Sequence, residues 1–116
     1  MSPAAHPPLP RVLHVGPYDY SIVSDTVALN KECRDLKADL FGVTDTRALQ
    51  ITLDPKIPAG VVRETLLHEV LHTVFDVTAL SELGYDDEEK IVRRMAPMLL
   101  DVMRRNAGLV KYLLAT

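Results

Sequence analysis

In the first half of the chain, apolar residues follow the spacing of β-strands. The stretch "RVLHVGPY" carries Val12, Leu13 and Val15 ahead of a Gly-Pro turn, which predicts a short strand. In residues 49–54 apolar and polar side chains alternate, the period of two that is typical of a strand with one buried face. The preceding "LFGV" and a Thr-Asp-Thr turn indicate that this strand closes a hairpin. Residues 22–40 fit either a helix or a strand, and the pattern leaves that choice open.

The second half changes to the period of an α-helix. A first helix is expected to begin between Pro58 and Val61, because proline is tolerated in a first turn, and to end near Leu80. Its apolar residues spread over more than half of the circumference, so this helix should be largely enclosed. These residues are Leu66, Leu67, Val70, Leu71 and Val74.

A second long helix is expected after Gly84. Asp86 and Asp87 suit its N-terminus, where acidic side chains interact favourably with the helix dipole. Pro97 falls inside its apolar stripe and should kink or split the helix. A short last helix, "LVKYLLA", follows Gly108.

This order of elements predicts an α+β domain with a small antiparallel sheet and helices packed on one side. The 116 residues favour one domain, residues 11–116, with a core large enough for independent folding. Residues 1–10 contain four prolines and are expected to form a flexible arm.

Composition and charge exclude several classes of function. The apolar fraction of 47 % and charged fraction of 25 % are ordinary for a soluble domain, and the net charge of −3 does not favour nucleic acid or an anionic membrane as a partner. Cys33 is the one cysteine, which excludes an intrachain disulfide and any zinc site with two thiolates. Without a signal peptide or a membrane-spanning run, the sequence predicts a cytoplasmic protein.

Two histidines stand four residues apart in the first helix, in the stretch "ETLLHEVLHTVF". His68 and His72 share one helix face, so their ring nitrogens can meet one cation, and neutral imidazole is a good ligand for Zn²⁺. Glu69 lies about 100° around the helix from His68, where it can take a proton from a water molecule that zinc activates. This is the HExxH arrangement of metalloproteases. Chance produces this pattern in about one per cent or fewer of chains of this size, so we favour a metal site over a fortuitous histidine pair.

A catalytic zinc ion needs a third protein ligand. No histidine follows His72, while His6 and His14 lie in the predicted arm and first strand. The metzincin extension needs glycine at position 75 and histidine at position 78, and the presence of Phe75 and Thr78 excludes that class. A carboxylate is therefore expected, and an acid from the second helix reaches the ion more easily than one from the same helix. The candidates are Asp76, Glu82, Asp86, Asp87, Glu88, Glu89 and Asp101.

Glu88 and Glu89 are the best placed of these acids. Glu89 precedes Val92 and Ala96 by three and seven residues, at one edge of the core stripe, and Glu88 is nearly as well placed. Either residue could instead belong to a solvated acidic first turn, and Glu89 could close a capping box with Asp86. Helical phase alone leaves the two residues equal.

On these motifs the chain resembles the ImmA/IrrE-like metallopeptidases, especially small versions encoded by tailed bacteriophages of actinobacteria. The resemblance covers residues 40–114 and rests on "FGVTDTRALQITLDP", the HExxH stretch and "DDEEKIVRRMAPMLLDVMRRNAGLVKYL". It implies a minimal zincin-like domain whose third zinc ligand is a glutamate at the start of the following helix. Glu89, with Val92, Met95 and Ala96 after it, fits that spacing, whereas the family's usual asparagine is Arg93 here.

The sequence therefore predicts a zinc metalloendopeptidase of gluzincin type that acts on a peptide or protein, with Glu69 as general base and His68, His72 and Glu89 as ligands. The alternative is a catalytically weak, metallopeptidase-like binding module that acts by protein–protein contact. Tyr85 is a candidate for stabilising the oxyanion, or else an ordinary half-exposed tyrosine. Residues 50–54 are a candidate edge strand for pairing with an extended peptide, or else an ordinary edge strand.

Overall fold

A computed structural model of the protein describes residues 7–25 and 41–116. This part of the chain is α+β, as the sequence predicts, and contains one four-stranded sheet and three α-helices. The strands are β1 (Val12–Val15), β2 (Tyr18–Ser24), β3 (Gly42–Asp45) and β4 (Gln50–Leu53). The helices are α1 (Ala59–Val77), α2 (Tyr85–Arg105) and α3 (Ala107–Leu114), with a 3-10 helix (Leu80–Leu83) between α1 and α2.

The sheet is mixed, so the prediction of an antiparallel sheet is wrong. The strand order is β1-β2-β4-β3, in which β1–β2 and β3–β4 are antiparallel hairpins and β2 pairs with β4 in parallel. Side-chain alternation indicates each hairpin but not how the two hairpins join, because parallel and antiparallel partners accept the same period of two. β4 consequently lies inside the sheet, and the prediction that residues 50–54 form an edge strand is also wrong.

The main apolar core lies between the sheet and α1. Tyr20 and Ile51, on the two strands that pair in parallel, are fully buried at its centre. Burying an apolar side chain such as that of Ile51 contributes about 1.5–3 kcal/mol to the free energy of unfolding. Ile22 and Leu53 complete the buried cluster, and the partly buried side chains that pack against it include Leu13, Val62, Leu66 and Val70. The i, i+4, i+8 spacing of the last three places one face of α1 against the sheet.

Two predictions concern segments that the structure describes only in part. The first is residues 22–40, for which the sequence left helix or strand open. Residues 22–24 belong to β2, and residues 26–40, with Cys33, lie outside the described residues. The second is the predicted flexible arm, residues 1–10. Residues 1–6 lie outside the described residues, and Leu9 packs against the core cluster.

α1 approaches the sheet closely at Gly42. A Cβ atom at this position would lie 2.8 Å from Cγ2 of Thr65 and 3.3 Å from Cγ of Glu69. The first distance is shorter than a carbon–carbon contact allows, so only glycine lets β3 lie this close to the helix. This contact sets the distance between β3 and the part of α1 that carries the HExxH motif.

α2 begins earlier than the acidic residues suggest. Its N-cap is Gly84 (φ 94°), no side chain caps it, and Tyr85 is its first residue. A capping box between Asp86 and Glu89 is therefore absent from this end of the helix. The sequence predicts that Pro97 kinks or splits α2. The helix is continuous through Pro97, so a split is excluded, and the kink stays a prediction. Pro97 is exposed to solvent, and water can satisfy the carbonyl group that lacks its usual amide donor.

Among the described residues, none of the helices combines the length and the apolar character needed to cross a membrane.

Candidate metal centre

α1 and α2 pack against each other and bring together two histidines and one glutamate. The Nε2 atoms of His68 and His72 are 3.2 Å apart. Oε1 of Glu89 lies 2.7 Å from His68 Nε2 and 3.5 Å from His72 Nε2. Each of the three side chains keeps 12 % of its surface exposed, so the group is enclosed but accessible from solvent. These are the three residues predicted as ligands.

The spacing and chemistry of these three atoms fit one tetrahedral cation. Ligand atoms about 2.0–2.1 Å from a tetrahedral zinc ion lie about 3.3 Å from each other, close to the distances found here. Oε1 of Glu89 is buried and lies 2.7 Å from His68 Nε2, 3.5 Å from His72 Nε2 and 3.9 Å from Arg93 Nε. A buried carboxylate oxygen normally has a donor or a cation as partner. If the imidazoles present their Nε2 lone pairs to this oxygen, a cation between the three atoms would satisfy all of them.

Glu88 and Glu89, which helical phase left equal, occupy different places. Glu89 lies beside the Nε2 atoms of both histidines, whereas Oε2 of Glu88 lies 2.5 Å from Nδ1 of His72. Nδ1 and Nε2 are on opposite sides of the imidazole ring. The three-atom group therefore includes Glu89, and Glu88 contacts the far side of one histidine.

Glu69 is held at the junction of α1 and β3. It is 2 % exposed, and its Oε1 atom accepts a hydrogen bond of 2.8 Å from the hydroxyl of Thr44. The same hydroxyl lies 3.2 Å from the carbonyl oxygen of Glu69. Sequence reasoning missed Thr44, because no pattern links a threonine in β3 to a residue 25 positions later in a helix.

Tyr85 contacts Oε2 of Glu89, the carboxylate oxygen that does not face the histidines. Its hydroxyl donates a hydrogen bond of 3.1 Å to Glu89 Oε2, and the residue is 57 % exposed. The exposure and this contact are compatible with both alternatives, and the role of Tyr85 at an oxyanion stays a prediction. Arg93 stands where the resemblance expects asparagine, and its Nε atom lies 3.9 Å from Glu89 Oε1.

The other candidate ligands lie apart from this group. His14 is exposed and its Nδ1 atom is 2.6 Å from Asp19 Oδ1. His6 lies outside the described residues. The remaining acidic candidates are all exposed: Asp76, Glu82, Asp86, Asp87 and Asp101.

Comparison with known proteins gives no match to this chain among protein-family models, curated proteins or solved structures. The resemblance to the ImmA/IrrE-like metallopeptidases consequently rests on the quoted motifs and stays a prediction.

Proposed function

We propose that this protein is a zinc-dependent metallopeptidase in which His68, His72 and Glu89 hold Zn²⁺ and Glu69 is the general base. The observation that carries the proposal is the convergence of two Nε2 atoms and one carboxylate oxygen within 2.7–3.5 Å, from two separate helices. If these three residues hold zinc, one ligand position would remain for a water molecule, as catalytic zinc requires.

Zinc in such a site acts as a Lewis acid and lowers the pKa of a water molecule to about 7. Glu69 directly follows His68 in α1, so its carboxylate flanks the ligand face. There it takes a proton from the attacking water and returns it to the leaving amine. Thr44 orients this carboxylate through the hydrogen bond to Oε1. The proposed substrate is a peptide or an unfolded protein segment.

The donor set favours zinc over other common divalent ions. Ca²⁺ and Mg²⁺ prefer sites made of oxygen ligands, whereas two imidazoles and one carboxylate suit Zn²⁺. Iron(II) oxygenases use a similar set, but the i, i+4 histidines with an intervening glutamate favour hydrolysis. Metal analysis of the purified protein checks this choice: we expect one zinc per chain and a loss of zinc in His68→Ala. Native zinc content in that variant would contradict the ligand assignment.

Glu69→Gln tests the mechanism. Glutamine keeps an oxygen that accepts from Thr44 but cannot take up a proton, so zinc content should be unchanged while cleavage of an unfolded protein falls at least about 10²-fold. Glu64→Gln is the matched control, since Glu64 lies in the same helix and is exposed. It should retain full activity. Undiminished turnover by Glu69→Gln would remove the proposed mechanism.

One observation favours the alternative of a binding module. Several large apolar side chains are exposed in the last part of α2 and in α3, a feature typical of contact surfaces. They include Met98, Tyr112, Leu113 and Leu114, each more than 60 % exposed. Cleavage of an unfolded protein that stops with a chelator and returns with zinc supports the peptidase. Stoichiometric zinc binding without any cleavage would support the binding module instead.

A further inference from the structure

Glu88 is the one acidic residue of the first turn of α2 that faces the protein interior. It is 9 % exposed, whereas Asp86 and Asp87 beside it are exposed. Helix capping does not account for this orientation, because the N-cap is Gly84 and no side chain caps the helix. The inward position of Glu88 therefore needs another reason, since burying a carboxylate costs free energy unless the group is paired.

The partner of Glu88 is Nδ1 of His72, at 2.5 Å from Oε2. A carboxylate accepts a hydrogen bond, so at neutral imidazole this contact requires the proton on Nδ1. The lone pair is then on Nε2, the atom that faces His68 Nε2 and Glu89 Oε1. Carboxylates in this position are known to fix the tautomer and the ring orientation of histidines that bind metals.

We propose that Glu88 is a positioning residue, which holds His72 in the Nδ1–H tautomer and directs the Nε2 lone pair to the cation. The expected effect of Glu88 on zinc affinity rests on the metal site of the proposed function. The tautomer itself is a property of the metal-free protein. The two parts can therefore be tested separately.

The first test measures the tautomer by NMR of the imidazole ring nitrogens in metal-free protein near pH 8. His72 should give the Nδ1–H pattern in the wild type, whereas a free neutral histidine in water favours Nε2–H. Glu88→Ala should shift His72 toward the free pattern, and Asp87→Asn, a change at an exposed neighbour, should not. An Nε2–H tautomer in the wild type would overturn the inference without any use of zinc.

The second test measures zinc affinity by competition with a chromophoric chelator. Glu88→Ala should weaken binding by about 10–100-fold, as expected for loss of a carboxylate behind a ligating histidine, and Asp87→Asn should bind like the wild type. Glu88→Gln, which keeps the size of the side chain and an acceptor oxygen, covers the case in which Glu88→Ala does not fold. It should hold the tautomer and lose less affinity than the alanine variant.

The outcomes separate this inference from the proposed function. Wild-type zinc binding with unchanged affinity in the folded Glu88 variants overturns the role of Glu88 and leaves the metal site intact. A wild type that binds no zinc overturns the proposed function, and the tautomer measurement then still decides whether Glu88 holds His72.

Discussion

The hydroxyl of Thr44 lies 2.8 Å from Oε1 of Glu69 and connects β3 to the helix that carries both histidines. Thr44 pairs with Ile51 of β4 in the hairpin, and Glu69 lies near the middle of α1. The hydrogen bond therefore relates the orientation of the proposed general base to the position of the sheet. A carboxylate held in one direction loses less conformational freedom when it acts on a substrate.

Thr44→Val is expected to lower peptide turnover and leave zinc content unchanged. Valine has nearly the same shape but no hydroxyl, so Glu69 loses a hydrogen-bond donor, at a cost in stability of about 1–3 kcal/mol. Turnover and zinc content are measured on the same preparation. Thr44→Ser restores the donor and should recover most of the activity, and Thr46→Val, in the exposed turn of the hairpin, is the control. Full activity of Thr44→Val would show that Thr44 does not orient Glu69.

Gly42→Ala is expected to destabilise the protein by about 1–3 kcal/mol, because the new methyl group meets Cγ2 of Thr65 at 2.8 Å and forces α1 away from β3. Denaturant unfolding measures this change. Gly60→Ala provides the matched control, since a Cβ atom at Gly60 meets nothing within 4 Å and alanine is the better helix former. It should be neutral or stabilising by up to about 1 kcal/mol. Equal stability of the two variants would contradict the close approach at Gly42.

Tyr20 is expected to make stability depend on pH in alkaline solution. Burial, followed by the negative charge of Asp76, raises the pKa of the Tyr20 hydroxyl above its usual value of 10.0. As pH rises, the unfolded chain therefore loses this proton before the folded protein does. The free energy of unfolding is unaffected by this difference below about pH 10 and falls as pH rises from there through the folded-state pKa. Urea unfolding from pH 7 to pH 11 follows this loss.

Tyr20→Phe should remove that alkaline decline. At pH 7 it should be neutral or stabilising, because the Tyr20 hydroxyl is buried without a hydrogen-bond partner among the residues that the structure describes. Tyr112→Phe changes a tyrosine that is 79 % exposed and should leave the pH dependence as it is. A loss of stability at pH 7 in Tyr20→Phe would indicate that the hydroxyl has a favourable interaction.

Zinc is expected to raise the midpoint of thermal unfolding. A ligand that binds the folded state stabilises it by about 2.7 kcal/mol when its free concentration is 100 times the Kd. A chelator should reverse this effect, and His72→Ala should abolish it. His14→Ala is the control, since His14 is exposed in β1, its Nδ1 atom contacts Asp19, and it does not belong to the group formed by His68, His72 and Glu89. An equal shift in the wild type and His72→Ala would place zinc elsewhere on the protein.

Local patterns in the sequence were enough to predict most of the elements. The Gly-Pro turn after β1, the hairpin that ends in β4 and the three helices all appear in the structure. The pairing of His68 with His72 is of the same kind, because four residues in a helix bring two side chains onto one face whatever surrounds them. These features depend on residues that are close in the chain, so sequence alone determined them.

Contacts between distant residues were decided by the tertiary structure. The parallel pairing of β2 with β4 joins the two hairpins, and the hydrogen bond from Thr44 reaches Glu69 across 25 positions. The contrast between Glu88 and Glu89 is the clearest case. Both residues lie near the start of α2, where local sequence does not distinguish them. The packing of α2 on α1 directs the carboxylate of Glu88 to Nδ1 of His72 and that of Glu89 to Nε2. Helical phase is an internal property of one helix, whereas the offset between two helices depends on the side chains that pack between them.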